Sequence, residues 1–301
     1  MTFLRNLTNN QRLWVSIGFV LFSVISFTCG VSMAKLLSPS INSVMVLFFR
    51  CLFGFAFFLP VILKNGGESL KSNHPWSHLL RVIFSCTAIF CTYYVYRKLP
   101  IATAAAIGYT SPLFVTLLAF FLLKERLNYK QWILMVVGYL GILMMVQPTS
   151  IKLTSACFIA LLANISAATS IVFTKKLSKT DPVSTIMFYS NAFSFLIACI
   201  AVCFVWQTPS FKDFLLLCGV SLFGLGSNVL LSYALKFGRA SVVSSFEYTR
   251  LIFIAFVGFI YFNEVPHWSI FAGAVVVCFA TFLIARFEFN SVNKTVVLKK
   301  N

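Results

Sequence analysis

The chain has 301 residues, 59% of them hydrophobic and only 10% charged, with a mean hydropathy of +0.91. Soluble domains run at roughly 45–50% apolar and ~25% charged, and no soluble fold hides this much apolar surface, so lipid is the solvent this composition requires. The net charge of +17 does not mark a nucleic-acid binder: of the 24 Lys and Arg, 22 lie between apolar blocks or at their edges, where basic residues orient a membrane protein.

Polar punctuation divides the chain into ten predicted spans. The first, Trp14 to Ala34, follows a basic stub but is too long for a signal-peptide core and is expected to stay as a span. The second, Val44 to Leu63, carries Phe48, Phe49 and Arg50. The third, Leu79 to Tyr96, has Arg81 near enough to its edge to snorkel. The fourth, Ile101 to Leu123, holds Tyr109 and the central Pro112, which removes a ladder hydrogen bond and frees a carbonyl near Gly108. That kink has two readings. It is an ordinary membrane-helix kink, or it lines a cavity and presents Tyr109 opposite Tyr248, where aromatic faces hold a base, ring or cation.

The fifth span, Gln131 to Val146, contains Gly138 and Gly141, which suit close packing. The sixth (Leu153 to Thr174), seventh (Val183 to Trp206) and eighth (Phe214 to Leu235) each hold one mid-span asparagine: Asn164, Asn191 and Asn228. These line a shared polar space or serve as glue between helices. Gly224 and Gly226 follow no strand and form no nucleotide loop, so no ATP motor is encoded. The ninth span, Ser241 to Phe262, carries Glu247 and Arg250, and the tenth runs from Trp268 to Ala285.

With the N-terminus in the cytoplasm, 17 basic residues fall on that face and 5 on the other, which places both termini inside a cytoplasmic (inner) membrane. The nine cysteines all lie in apolar blocks with no metal-ligand spacing, so no metal or cofactor is expected. Glu125 and Glu264 at span ends read as helix-end salt bridges, and His74, His78 and His267 as solvated edge residues.

Internal similarity divides the chain at 1–149 and 150–301. Lys35, Leu37, Ser38 and Phe48 recur 140 positions later as Lys175, Leu177, Ser178 and Phe188, while Tyr109, Thr110, Phe114 and Glu125 recur 139 later as Tyr248, Thr249, Phe253 and Glu264. Five spans per half is an odd number, so the second half is threaded oppositely, an inverted repeat of the kind that places a substrate site at the midplane.

Only Arg50, Glu247 and Arg250 are charged deep within a span, which makes them functional candidates. Glu247 and Arg250 share a helical face. They form a self-contained structural pair, or they bind a zwitterion, Glu247 taking an ammonium or sulfonium and Arg250 with Arg50 a carboxylate. A third reading makes Glu247 a proton carrier.

Phe48, Phe49 and Arg50, then Pro112, Leu113 and Phe114 with Glu125 and Arg126, then Phe262, Asn263, Glu264, Val265 and Pro266 resemble, in order and spacing, the EamA family of the drug/metabolite transporter superfamily. The resemblance implies an all-α membrane protein of ten helices, the first four of each half around a central cavity, with helices five and ten peripheral and available for a homodimer. The stretch Phe246 to Phe253 resembles members that carry amino-acid-like metabolites, and the whole chain is similar to S-adenosylmethionine permeases. One departure is Leu251 where the first half has Pro112, so the kink is expected in one half only; another is Ser190 in place of Arg50. A secondary transporter of a small metabolite is thus expected. The alternatives are a passive channel or an intramembrane enzyme, for which no reactive constellation is visible.

Overall fold

The computed structural model describes residues 9–38, 40–64, 74–98, 107–125, 129–146, 155–262 and 268–298. Eleven helices cover them, with no strand among the described residues: α1 (Asn9–Lys35), α2 (Ser43–Lys64), α3 (Pro75–Lys98), α4 (Ser111–Leu123), α5 (Tyr129–Val146), α6 (Ser155–Leu177), α7 (Val183–Val202), α8 (Phe211–Phe237), α9 (Ala240–Phe246), α10 (Thr249–Phe262) and α11 (Trp268–Leu298). Among the described residues, six stretches are long and apolar enough to cross a membrane: Gln11–Ala34, Ser155–Leu177, Val183–Val202, Phe211–Phe237, Ala240–Val257 and Trp268–Phe287. Shorter apolar helices cover Val44–Pro60, Ser111–Leu123 and Tyr129–Met145. Phe22, Phe57, Phe121, Ile200 and Phe271 point outward, an arrangement only lipid tolerates at this density. The chain is a multi-pass helical membrane protein.

The packing repeats as the sequence does. α1 pairs with α8 and α6 with α3, which are equivalent pairs under the internal repeat, while α2 meets its own counterpart α7 and α5 meets α11. In α2 and α7, Phe48 reaches Phe195 whereas Phe55 reaches Phe188, so the two counterparts run antiparallel. In the α5–α11 pair a Cβ on Gly141 would lie 3.0 Å from the Gly273 carbonyl oxygen, and one on Gly138 would lie 3.6 Å from Ala280 Cβ. The close approach that Gly138 and Gly141 permit is therefore made within one chain.

Hydroxyls hold α1 to α8, as expected where no hydrophobic force separates helix from lipid. Ser16 donates to the Ala234 carbonyl at 2.8 Å, Ser23 to Ser227 at 2.8 Å and Ser26 to Phe223 at 2.7 Å. The Cβ of Phe223 packs on Gly30.

Two edge expectations need correction. His78 is buried at 2% exposure with Nε2 2.7 Å from Asp181, because α3 packs along α6 and α7 and closes over it. His74 is exposed, and His267 lies outside the described residues. Arg81 does not snorkel: it donates to Thr174 Oγ1 at 2.6 Å and to the Ile186 carbonyl at 3.2 Å. Lys175 is also buried, its ammonium on the Leu235 and Gly238 carbonyls that end α8, where such orphan acceptors need donors.

Candidate functional site at the interrupted helix

Span nine is not one helix. α9 ends at Phe246, Glu247 and Tyr248 form a turn, and α10 begins at Thr249. Backbone bonds of the i to i−3 kind carry the chain across: Glu247 N–H donates to Ser244, Tyr248 to Ser245, Arg250 to Glu247 and Leu251 to Tyr248. Serine and threonine cause the break. Ser244 and Ser245 donate their hydroxyls to the Ser241 carbonyl at 3.1 and 2.8 Å, and Thr249 donates to Phe246 at 2.7 Å, back-bonding that bends helices.

The first half is interrupted at the matching place. Residues 107–108 are helical, Tyr109 and Thr110 form a turn, and α4 starts at Ser111 with Pro112 in its first turn. The expectation of a kink in one half only is corrected: Leu251 offers no proline, but the hydroxyls perform the same task. Nor is the first interruption a mid-helix kink, since a proline in the first turn loses little. The carbonyl that gathers donors is that of Ile107, which accepts from Thr110 N–H at 3.0 Å, Thr110 Oγ1 at 2.7 Å and Asn164 Nδ2 at 2.6 Å. Asn164 also donates to Thr110 Oγ1 at 3.0 Å, so its amide braces the turn.

The turn in span nine carries the charges. Arg250 Nη2 donates to Glu247 Oε1 at 2.9 Å, with 24% and 14% of the two side chains exposed. On its other side the guanidinium lies over the Phe27 ring of α1, 4.0 Å from Cζ to centroid. Among the described residues, Arg250 Nε is buried without a hydrogen-bond partner. The residual exposure of both side chains leaves the pair open to a further polar group.

Arg50 lies nearby on α2, against the α8 backbone. A Cβ on Gly224 would sit 3.3 Å from Arg50 Nε, and Gly30 of α1, three residues beyond Phe27, packs on Gly224 from the other side. A Cβ on Gly54 would come within 2.6 Å of Asn191 Cγ and 2.8 Å of Leu225 Cδ2. Asn191 also donates to its own helix at Met187, 2.8 Å. Asn228 is half-buried on α8, one turn past Gly224. Gly54 and Gly224 thus bring α2, α7 and α8 together around Arg50 and Asn191, while Gly30 and Phe27 of α1 connect that cluster to the Glu247–Arg250 pair.

The tyrosines go elsewhere. Tyr248 is fully buried against Gly138, and it clusters with Met135, Ile142, Met145 and Val277, with Tyr109 packed on the same cluster. In this state Tyr248 is core between span nine and the α5–α11 pair, presenting no open aromatic face.

At the end of α4, Lys124 adopts the left-handed conformation (φ 55°), which turns the chain sharply. Glu125 then reaches the start of α9, accepting from Ala240 N–H at 3.2 Å and Ser241 Oγ at 3.2 Å, with Arg239 Nε at 4.0 Å. The helix-end role expected for Glu125 is what the structure gives; Glu264 lies outside the described residues. Among the described residues no group of His, Cys, Asp or Glu is placed to hold a metal. Sequence reasoning missed Phe27, Gly54 and Gly224. The pair Gly224 and Gly226 was the available signal: the first seats Arg50, and a Cβ on the second would lie 3.2 Å from Ser26 Oγ.

The paired charge thus lies at a broken helix inside a polytopic membrane bundle. The EamA-like transporter family model matches twice, over residues 14–147 and 154–286, and the chain belongs to that family. It is 28% identical to an S-adenosylmethionine uptake transporter of Rickettsia bellii, covering 94% of this chain and 97% of that protein. It is 27% identical to the pseudopaline exporter CntI of Pseudomonas aeruginosa, over 89% and 96% respectively. A riboflavin transporter of Rhizobium johnstonii is 25% identical over 92% of this chain and 91% of its own length. One crystal structure superposes with a TM-score of 0.77 at 13% identity, covering 92% of this chain and 98% of that chain, a likeness of fold. These relatives support small-metabolite transport.

Proposed function

We propose that the chain is a secondary transporter that carries a small zwitterionic, amino-acid-like metabolite across the cytoplasmic membrane by alternating access. The observation that carries this reading is the Glu247–Arg250 pair, held at 2.9 Å in the interruption of span nine with part of each side chain accessible. A zwitterion exchanges partners there: its cationic group takes Glu247 and its carboxylate takes Arg250, with Arg50 adding a second guanidinium. Each buried charge then trades one ion pair for another, which avoids the several kcal/mol that an unpaired buried ion costs. Asn191 and Asn228 supply neutral hydrogen-bonding groups, Asn164 braces the first-half turn beside Pro112, and Tyr109 and Tyr248 fix the two turns from behind.

On this reading the halves 1–149 and 150–301 are inverted five-span repeats, ten spans in all, with both termini cytoplasmic. Interrupted helices near the midplane supply the hinge that exchanges access, as in other inverted-repeat carriers. S-adenosylmethionine presents a cation for Glu247 and a carboxylate for the arginines, with its second cationic centre left outside this pair, and the first relative named above bears its name.

The test is uptake and counterflow in proteoliposomes against amino acids, S-adenosylmethionine, nucleosides and cationic drugs. A zwitterion should show saturable counterflow and compete with its analogues. Flux that never saturates identifies a channel, and equal transport of compounds lacking the carboxylate removes the zwitterion site. An imposed proton gradient that leaves uptake unchanged removes proton carriage by Glu247.

A further inference from the structure

Outside the ion-pair region a lateral groove of about 480 Å³ opens between the start of α1, the α9–α10 turn and α11. Leu13, Ile17, Phe246 and Thr281 are its buried floor, while Trp14, 60% exposed, and Arg286 stand at one end. The volume falls within the ~300–1,000 Å³ of sites that hold small organic ligands.

Its chemistry is one-sided. The two threonine hydroxyls in the lining are turned to their own helices, Thr249 to the Phe246 carbonyl at 2.7 Å and Thr281 to Val277 at 2.8 Å. The groove is thus apolar along its length, with one cation and one indole at its mouth. An acyl chain ending in an anionic headgroup has that profile, since basic residues between helices take lipid phosphates and tryptophan settles at the headgroup level.

Pseudo-symmetry does not produce the groove. At the positions equivalent to Cys278, Thr281 and Arg286 the first half has Tyr139, Ile142 and Gln147. A phenol ring replaces a thiol, a butyl side chain replaces a threonine, and the cation is lost.

We propose that this groove binds one anionic phospholipid of the surrounding bilayer, its acyl chain along Leu13, Ile17 and Phe246 and its phosphate at Arg286. The occupant touches Phe246 and Thr249, the residues on either side of the Glu247–Tyr248 turn. The assignment stands whatever solute is carried.

Native mass spectrometry of the purified full-length chain in detergent, offered phosphatidylglycerol or phosphatidylcholine, tests it. One phosphatidylglycerol should be retained with about tenfold preference, the size of a single charge-assisted contact. Arg286→Gln should erase the preference while leaving the melting temperature in lipid-free detergent unchanged. Cys278→Tyr, which installs the residue of the other half, should lower retention of both lipids by at least about fivefold. Equal retention of the two lipids by the natural chain overturns the proposal, as does an unchanged preference in Arg286→Gln. Lipid lost on dimerisation would give the groove to a second copy, and lipid displaced by a transported solute would give it to the transport path; either result also overturns it.

Discussion

Thr110 and Thr249, 139 positions apart, make the same hydrogen bond: each donates its hydroxyl at 2.7 Å to the carbonyl three residues back, Ile107 in one half and Phe246 in the other. Such a bond contributes about 0.5–1.5 kcal/mol, so Thr249→Val should move the balance between interrupted and continuous helix by about two- to tenfold. Hydrogen exchange at residues 247–250 should slow in that variant, and transport should slow with it. Exchange identical to the natural chain would mean that the hydroxyls do not hold the turn open.

Removing one member of the Glu247–Arg250 pair strands the other. Glu247→Gln and Arg250→Gln should each lower thermal stability by about 1–3 kcal/mol, less than the 3–5 of a fully enclosed pair because both side chains retain exposure. The double variant should recover most of that stability without recovering transport. Recovery of both would reduce the pair to a structural element.

Phe27 holds the back of the Arg250 guanidinium at 4.0 Å. Phe27→Leu should weaken apparent substrate affinity about five- to thirtyfold, corresponding to about 1–2 kcal/mol of cation–π attraction. Phe27→Trp should retain most of the affinity. Equal affinities for the leucine and tryptophan variants in competition assays would separate the ring from the site.

Gly54 and Gly224 differ in what a methyl group would meet. Gly54→Ala drives into the Asn191 amide and Leu225, and should disturb α2 against α7 and α8. Gly224→Ala meets the flexible Arg50 at 3.3 Å and should leave stability nearly unchanged while altering transport. Melting temperature and initial uptake rate, measured on both variants, check this ordering; a more severe stability loss at Gly224 would contradict it.

Hydropathy and interspersed charge make the helical membrane class readable, and the twin matches around Tyr109 and Tyr248 make the duplication readable. The Glu247–Arg250 contact was legible as well, because a spacing of three residues brings the two side chains together locally even across the turn. The interruption of span nine was not. A hydropathy window averages composition, and it does not register a serine hydroxyl turned onto a carbonyl one turn back. The burial of His78 and Arg81 escaped for a different reason: both lie near the edge of a span, and only the packing of α3 along α6 and α7 encloses them. Phe27 and Gly224 act entirely across helix–helix contacts, for which a single strand of text carries no distance information.

The elbow between α8 and α9 is gripped from both flanks. Lys175 of α6 sits on the carbonyls of Leu235 and Gly238, and Glu125 beyond α4 sits on the amides of Ala240 and Ser241. Four helices thus meet at one knuckle, so α9 can swing only if a cation and an anion release together or if all four helices travel as a unit. Either way this end of the bundle behaves as a latch, closed on both flanks at once.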